Sequence, residues 1–384
     1  MIDIYHKVNY NNIFKILISI WILSIPFKNV IFQISILLIP TFFAYYLFKT
    51  KQFSTLIANL KETKYLFVGF CFIVFSMILS NLLNPEFLDK KSWHTIYMFV
   101  IRYGLIFVIL AYFYRLEFFT KKEILVLVVF SLSVLLCTGI YQILQEPTVI
   151  IKEGITGTLN NRNAFGLMMG MGVVLSLCLI KYKRIFALFF LLLFSFFMIF
   201  SFCRSSWVAS FFSFIVLLLF NYKNIKISHF IYFLSFLLFL ALLYFSFDSF
   251  QNRFEQLLNG NSSNRTTIWL YTIAFIKEKI FFGYGLNSFK YLPNEFLNNF
   301  PDPHNSALEI LLYTGLFGLI SCVFTIFVVL KKIYESKNFI LFPIVTYFIV
   351  VTQFDFGAYG SKELLSFLTI FVFFVYADSF RKEK

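Results

Sequence analysis

The sequence predicts an all-α polytopic membrane protein with about twelve transmembrane helices. Of its 384 residues, 60% are hydrophobic and only 14% are charged, and the mean hydropathy is +0.81. A soluble chain of this size carries roughly a quarter charged residues. Long apolar runs recur from end to end, and the connections between them alternate between rich and poor in Lys and Arg. These observations together define the fold class.

The apolar runs define twelve candidate spans. Several are shorter than the roughly 20 residues that a helix needs to cross a bilayer, so they must borrow flanking residues, tilt little or line a cavity. The spans are roughly 13–25, 30–48, 65–83, 95–114, 124–144, 164–180, 185–202, 206–220, 228–247, 306–330, 339–353 and 364–376.

Charge then orients the predicted bundle. Most of the 33 basic residues lie in every second connection and in the two tails. The positive-inside rule makes that side cytoplasmic, so both termini are expected inside. Much of the net charge of +14 is then a topology signal, and the sequence shows no nucleic-acid-binding motif. We expect one integral membrane domain over residues 1–384, with a large outer loop at 248–303 between spans nine and ten.

A histidine stands where that loop meets a span. Pro301 and Pro303 disfavour helix up to His304, and an apolar run begins at Ser306. The N–H groups and dipole of a helix start suit a neutral imidazole, which a general base must be. The alternative is a capping loop with an incidental histidine.

Three arginines face the same predicted outer side. Arg204 lies between two apolar runs, where a cation is costly and usually serves a partner or a pathway. Arg265 follows a candidate N-cap, and a cation in a first helical turn is more favourable if an anion binds there too. Arg162 precedes a glycine-rich span and is a candidate third contact. The alternatives are an interfacial, snorkelling Arg204 and solvated loop charges for Arg162 and Arg265.

Glu309 lies in the same segment as His304. An ionisable group within a span is a candidate functional residue. It either hydrogen-bonds neighbours of His304 or an acceptor hydroxyl, or it sits in a wet vestibule near the helix start. The chain has four His and no HExxH or CxxC spacing, so we expect neither a metal nor another cofactor.

Four features together resemble the signature of the bacterial O-antigen ligase and O-antigen polymerase superfamily, which also includes protein O-oligosaccharyltransferases. The resemblance covers roughly residues 150–320. The features are His304-Asn305 followed after nine residues by Gly315-x-x-Gly318, Arg204 in Arg-Ser-Ser-Trp, Arg265 in Asn-Arg-x-x-Ile-Trp, and a Gly-x-Gly-x-x-x-Phe segment from Gly283 to Phe289.

The resemblance implies an inverting, metal-independent glycosyltransferase of the bacterial inner membrane, with its active site on the periplasmic face. The donor would be a glycan on undecaprenyl diphosphate and, for a ligase, the acceptor a hydroxyl of lipid A–core. His304 would be the base or would position the acceptor, and Arg204 and Arg265 would hold the diphosphate. Asn305, Glu309 and Arg162 are secondary candidates.

Among the members, we favour an O-antigen ligase, because the chain is short and has one long loop. An O-antigen polymerase or a protein O-oligosaccharyltransferase uses the same chemistry on another acceptor. A lipid-linked glycan transporter is the alternative from a different class, although the spans lack the acidic relay expected of a proton-driven pump.

Overall fold

The structure, a computed structural model, describes residues 2–27, 30–150, 152–180, 182–220, 244–246, 248–258, 264–354, 357, 359 and 361–381. Regular structure within these ranges is helical. The helices are α1 (Ile2–Ser24), α2 (Val30–Thr50), α3 (Phe53–Glu62), α4 (Lys64–Leu83), α5 (Lys90–Phe99), α6 (Ile106–Arg115), α7 (Lys121–Gln145), α8 (Arg162–Leu179), α9 (Arg184–Phe200), α10 (Arg204–Phe220), α11 (Asp248–Leu258), α12 (Arg265–Glu278), α13 (Ser306–Ser336), α14 (Phe342–Val351) and α15 (Lys362–Tyr376).

Six helical segments in the described ranges are long and apolar enough to cross a membrane, namely α2, α4, the continuous segment Lys90–Arg115, α7, α8 and α13. Shorter apolar helices occupy the predicted first, seventh, eighth and eleventh spans. Helix α15 coincides with the predicted twelfth span. The ninth, at 228–247, lies almost entirely outside the described residues. The chain is therefore a helical, multi-pass membrane protein, and the number twelve stays a prediction.

The chain forms two compact units. The first contains Met1–Ser131, Ile268–Asn338 and Phe356–Lys384, and the second contains Leu132–Thr267 and Phe339–Asp355. The predicted large loop, 248–303, carries α11 and α12 and contributes to both. A single integral domain over 1–384 and the outer location of the loop stay predictions.

In the first unit, α5 and α6 join through a π-helical segment, Val100–Leu105, into one long helix. A capping box starts it. The Asp89 carboxylate accepts the Ser92 N–H at 2.9 Å, and Ser92 Oγ accepts the Asp89 N–H at 3.3 Å. The Tyr291 hydroxyl also donates to Asp89, at 3.2 Å. Burial alone raises the pKa of Asp89, but the hydrogen bonds from Ser92 and Tyr291 outweigh it and hold that pKa below its ordinary value.

Asp89→Ala is expected to destabilise the protein by about 1 kcal/mol at neutral pH, the usual effect of losing an N-cap. Because the folded-state pKa of Asp89 is lowered, its charge stabilises the fold above the unfolded pKa of about 4 and ceases to do so as the pH falls through the folded value. Thermal unfolding in detergent should show the difference in Tm shrinking in acid. Asp89→Ser, which keeps a capping oxygen, is the control. An equal loss in Asp89→Ser would show that capping is not the cause.

Helix α13 is broken at Gly315, whose backbone has φ 64° and ψ −163°. Beyond the break, the Leu316 N–H donates to the carbonyl of Ile280 at 2.8 Å. Before it, the Leu312 carbonyl accepts the Tyr284 N–H at 2.8 Å. The segment around residues 280–285 thus replaces hydrogen bonds that an unbroken helix would make itself. Non-helical backbone within a candidate span is tolerated where protein satisfies its polar groups in this way.

The glycines of the 283–289 segment make this approach possible. Gly283 and Gly285 have φ of 69° and 90°, which glycine adopts without strain and which turn the chain here. A Cβ at Gly283 would lie 2.6 Å from the carbonyl oxygen of Leu312. On the other side, Ser80 Oγ of α4 accepts the Gly285 N–H at 2.9 Å, and Asn81 Oδ1 accepts the next N–H along at 2.8 Å. The turn is therefore fixed between α4 and the break in α13.

In the second unit, the glycines of α8 allow neighbouring elements to pack closely. A Cβ at Gly166 would lie 2.4 Å from the Cys203 Cβ, and one at Gly170 would lie 2.4 Å from the Tyr347 hydroxyl. That hydroxyl donates to the Leu167 carbonyl of α8 at 2.7 Å. Gly166 and Gly170 therefore allow Cys203 and Tyr347 to approach the backbone of α8 closely.

Candidate active site

His304 lies immediately before the capped start of α13. Asn305 is the N-cap, and its side-chain oxygen accepts the Leu308 N–H at 2.9 Å. The helix begins at Ser306, as the prolines and the apolar run predicted. His304 itself has a left-handed backbone with φ 53°. This conformation is uncommon for a residue other than glycine and indicates that the surroundings hold it.

Asp302 is the side chain that holds it. Its Oδ1 accepts the backbone N–H of His304 at 2.7 Å. The same oxygen lies 3.1 Å from Nδ1 of the His304 ring. Nδ1 is buried, while the imidazole as a whole is 27% exposed. The exposed part of the side chain therefore lies elsewhere than at Nδ1.

The loop that carries this pair rests on α12. The Trp269 indole N–H donates to the carbonyl of Pro303 at 3.0 Å. Beneath it, Ile268 and Leu297 are fully buried in an apolar cluster that also takes in Ile310 of α13. The imidazole is thus presented on a packed support, which is what a group positioned for chemistry requires.

Glu309 lies one turn into α13 and is only 4% exposed. Gly357 packs directly against it, since a Cβ there would lie 2.6 Å from the carboxylate Oε2. The carboxylate is thus enclosed by protein. The start of α13 therefore carries Asn305 as its N-cap and Glu309 one turn further on, and His304 lies in the loop just before it. All three residues belong to the first unit.

Arg204 and Arg162 lie in the second unit, each as the first residue of a helix, α10 and α8. The two helix starts are neighbours, because Cys203 Sγ contacts the carbonyl oxygen of Asn163 at 3.5 Å. Arg162 also donates to the carbonyl of Glu153 at 3.3 Å. Two sets of first-turn N–H groups therefore start close together, and helix starts favour an anion.

Arg265 is likewise the first residue of its helix, α12, as the sequence predicted, and it follows Asn264, whose φ is 67°. It is part of the second unit. All three candidate arginines thus occupy first positions of helices. That Arg204 and Arg265 act together with His304 stays a prediction.

Sequence reasoning overlooked two residues. Asp302 stands two positions before His304 and was hidden between two prolines that were interpreted only as helix breakers. Arg102 lies within the apolar segment Lys90–Arg115, in its π-helical part, where Nη2 donates to Gln33 Oε1 at 2.9 Å. A basic residue inside an apolar run was the available signal.

The described ranges hold no group of three His, Cys, Asp or Glu side chains that could bind a metal ion. Fold and site together define a multi-pass helical membrane protein with a histidine–carboxylate pair at the start of a span and arginines at helix starts.

Comparison with known families then gives the affiliation. Residues 187–323 match the family model described as O-Antigen ligase. This match supports the resemblance of the chain to the O-antigen ligase superfamily, and it covers Arg204, Arg265, His304 and Gly315. No curated protein matches the chain.

Proposed function

We propose that the protein is a lipid-carrier-dependent glycan transferase, and specifically an O-antigen ligase. It would move a polysaccharide from undecaprenyl diphosphate to a hydroxyl of lipid A–core in lipopolysaccharide biosynthesis. The observation that carries the proposal is the supported imidazole of His304, with a carboxylate oxygen 3.1 Å from Nδ1 and a side chain that stays 27% exposed, inside the matched region.

The proposed step is a direct displacement. The acceptor hydroxyl gives its proton to His304 as its oxygen forms a bond to the anomeric carbon. The bond from that carbon to the diphosphate oxygen breaks, and its electron pair leaves with the diphosphate. Attack opposite the leaving group inverts the anomeric centre. A positioned base of this kind contributes typically 10²–10⁴-fold to the rate.

The leaving diphosphate is assigned to the arginines. Arg204 and Arg265 would neutralise its developing charge, with Arg162 as a secondary contact beside Arg204. Each combines a guanidinium fork with first-turn N–H groups, which together suit a phosphate oxygen. The assignment needs no metal ion, so transfer is expected to persist in a chelator such as EDTA.

Arg204→Lys is expected to lower transfer roughly 10-fold or more, although the charge is kept. A lysine ammonium is a point charge and cannot replace a bidentate fork on a diphosphate. Initial rates with purified protein and a lipid-linked donor measure this. Arg184→Lys, at the first position of α9 in the same unit, is the matched control. Normal rates in Arg204→Lys would remove Arg204 from the diphosphate site.

A lipopolysaccharide gel from a deletion strain, with analysis of its undecaprenyl-linked glycans, tests the function. A ligase predicts full-length polymer accumulating on the carrier with bare lipid A–core. Cores capped by one repeat unit would indicate a polymerase instead. A normal ladder would remove both and direct attention to protein glycosylation or to transport of the lipid-linked glycan.

The orientation follows from charge, because basic connections on one side favour both termini in the cytoplasm. The family resemblance implies that the membrane is the bacterial inner membrane. The start of α13, with His304, would then face the periplasm. Cysteine labelling from the periplasm at a Glu295→Cys site in the same loop tests this orientation.

A further inference from the structure

The geometry points to Asp302 as the positioning residue that sets the tautomer of His304, with the proton on Nδ1 and Nε2 as the nitrogen that receives the acceptor's proton. This inference rests on the proposed function of His304, and it adds a residue and a choice of nitrogen that the motif does not supply.

One carboxylate oxygen controls both the backbone and the ring. Asp302 Oδ1 accepts the His304 backbone N–H at 2.7 Å and lies 3.1 Å from Nδ1. The first contact stabilises the left-handed backbone conformation of His304, whose φ is 53°. The second places an acceptor-only group at one ring nitrogen. A carboxylate therefore orients the residue from its main chain to its side chain.

The identity of the working nitrogen follows from donor and acceptor chemistry. A neutral imidazole carries its proton on one nitrogen and a lone pair on the other, and the hydrogen bond at one nitrogen decides which. A carboxylate beside Nδ1 requires a donor there. Nε2 then holds the lone pair. The ring N–H is not aligned on Oδ1 in this structure, and catalytic hydrogen bonds commonly align only when substrate binds.

The surroundings of Asp302 and His304 indicate that the carboxylate orients the imidazole and is not simply one half of an exposed ion pair. Both side chains are 27% exposed, and the buried Nδ1 has no aligned hydrogen-bond partner among the described residues. The preceding Pro303 is fixed from below by Trp269. Asp302 and His304 flank Pro303. A fixed Pro303 limits how far the carboxylate and the ring can move relative to each other.

Asp302→Asn tests the role. Asparagine keeps an oxygen for the His304 backbone N–H but loses the charge that holds the proton on Nδ1. We expect kcat for transfer to fall about 10–100-fold, with KM for the lipid-linked donor within about twofold, because ground-state binding is untouched. Asp302→Glu, which restores a carboxylate, should recover part of kcat. Glu295→Gln, an exposed carboxylate in the same loop, is the control and should behave as wild type.

The tautomer is read directly by ¹⁵N NMR of histidine-labelled protein in detergent. The chain has four histidines, and the signal that His304→Gln removes is assigned to His304. We expect the Nδ1–H form in the wild type and a shift to the commoner Nε2–H form in Asp302→Asn.

An Nε2–H form in the wild type would overturn the inference, even if Asp302→Asn failed to fold. Unchanged kcat in Asp302→Asn would also overturn it while leaving the proposed function intact, provided that His304→Gln is inactive. Retained transfer in His304→Gln would instead overturn the proposed function itself, so the two failures are distinguishable.

Discussion

His304→Ala is expected to abolish glycan transfer while leaving donor binding largely intact. The imidazole lies at the start of α13 with a carboxylate oxygen 3.1 Å from Nδ1, and its side chain stays 27% exposed. It is proposed to act only as the acceptor proton moves, so its loss affects the transition state rather than the ground state. The rate should fall by about 10²–10⁴-fold.

The measurement is a single-turnover assay with purified protein and a lipid-linked donor, alongside the affinity for that donor. The fold should survive, because Asn305 and not His304 caps α13. His94→Ala, an exposed histidine of α5 in the same unit, is the matched control. Near-normal transfer in His304→Ala would remove the catalytic assignment.

The helices could largely be predicted from the sequence, because bilayer thickness converts directly into runs of apolar residues. Helix α13 begins at Ser306, where the prolines end and Asn305 can cap, and α12 begins at Arg265 after Asn264. Both starts depend on local chemistry within a few residues. The bounds of the shorter apolar helices were harder to predict, because their apolar runs are shorter than the roughly 20 residues that cross a bilayer.

The break in α13 could not be predicted, because its cause is distant in the chain. The sequence identifies Gly315-x-x-Gly318 only as part of the motif that carries the resemblance. In the structure, the helix breaks at Gly315, and Ile280 and Tyr284 form hydrogen bonds with the backbone of α13 on either side of the break. Ser80 and Asn81, polar residues on an apolar helix, complete the arrangement. The glycines and the polar residues Ser80 and Asn81 are far apart in the sequence, and only the contacts in the folded protein show that they belong to the same arrangement.

The sequence identifies the candidate site residues one by one, but it does not predict how they are arranged in space. The charge of Arg204 and the position of His304 marked them individually. The contact between Asp302 and Nδ1 depends on a left-handed backbone at His304, which is uncommon outside glycine and which the sequence alone does not predict. The adjacent starts of α8 and α10 depend on Gly166 packing against Cys203. Tertiary packing supplies both.

Gly315→Ala is expected to be the most damaging conservative change in the first unit. The backbone at Gly315, φ 64° and ψ −163°, lies in a region that side chains essentially exclude. A Cβ there would lie 2.2 Å from the carbonyl oxygen of Phe281 and 2.4 Å from the backbone nitrogen of Phe282. Neither is the movable end of a side chain. Relief requires backbone to move, which would break the bonds that Leu316 and Tyr284 make across the gap.

Strain and lost hydrogen bonds together should destabilise the protein by about 3 kcal/mol or more. The loss is severe because unpaired backbone groups in hydrocarbon have no water to replace their partners. Thermal unfolding and the yield of monodisperse protein after detergent extraction measure it. Gly104→Ala is the control, since its new methyl would meet only the far edge of the Phe70 ring. Wild-type yield and Tm in Gly315→Ala would show that α13 can run straight, and the paired segment would then not be what shapes the site.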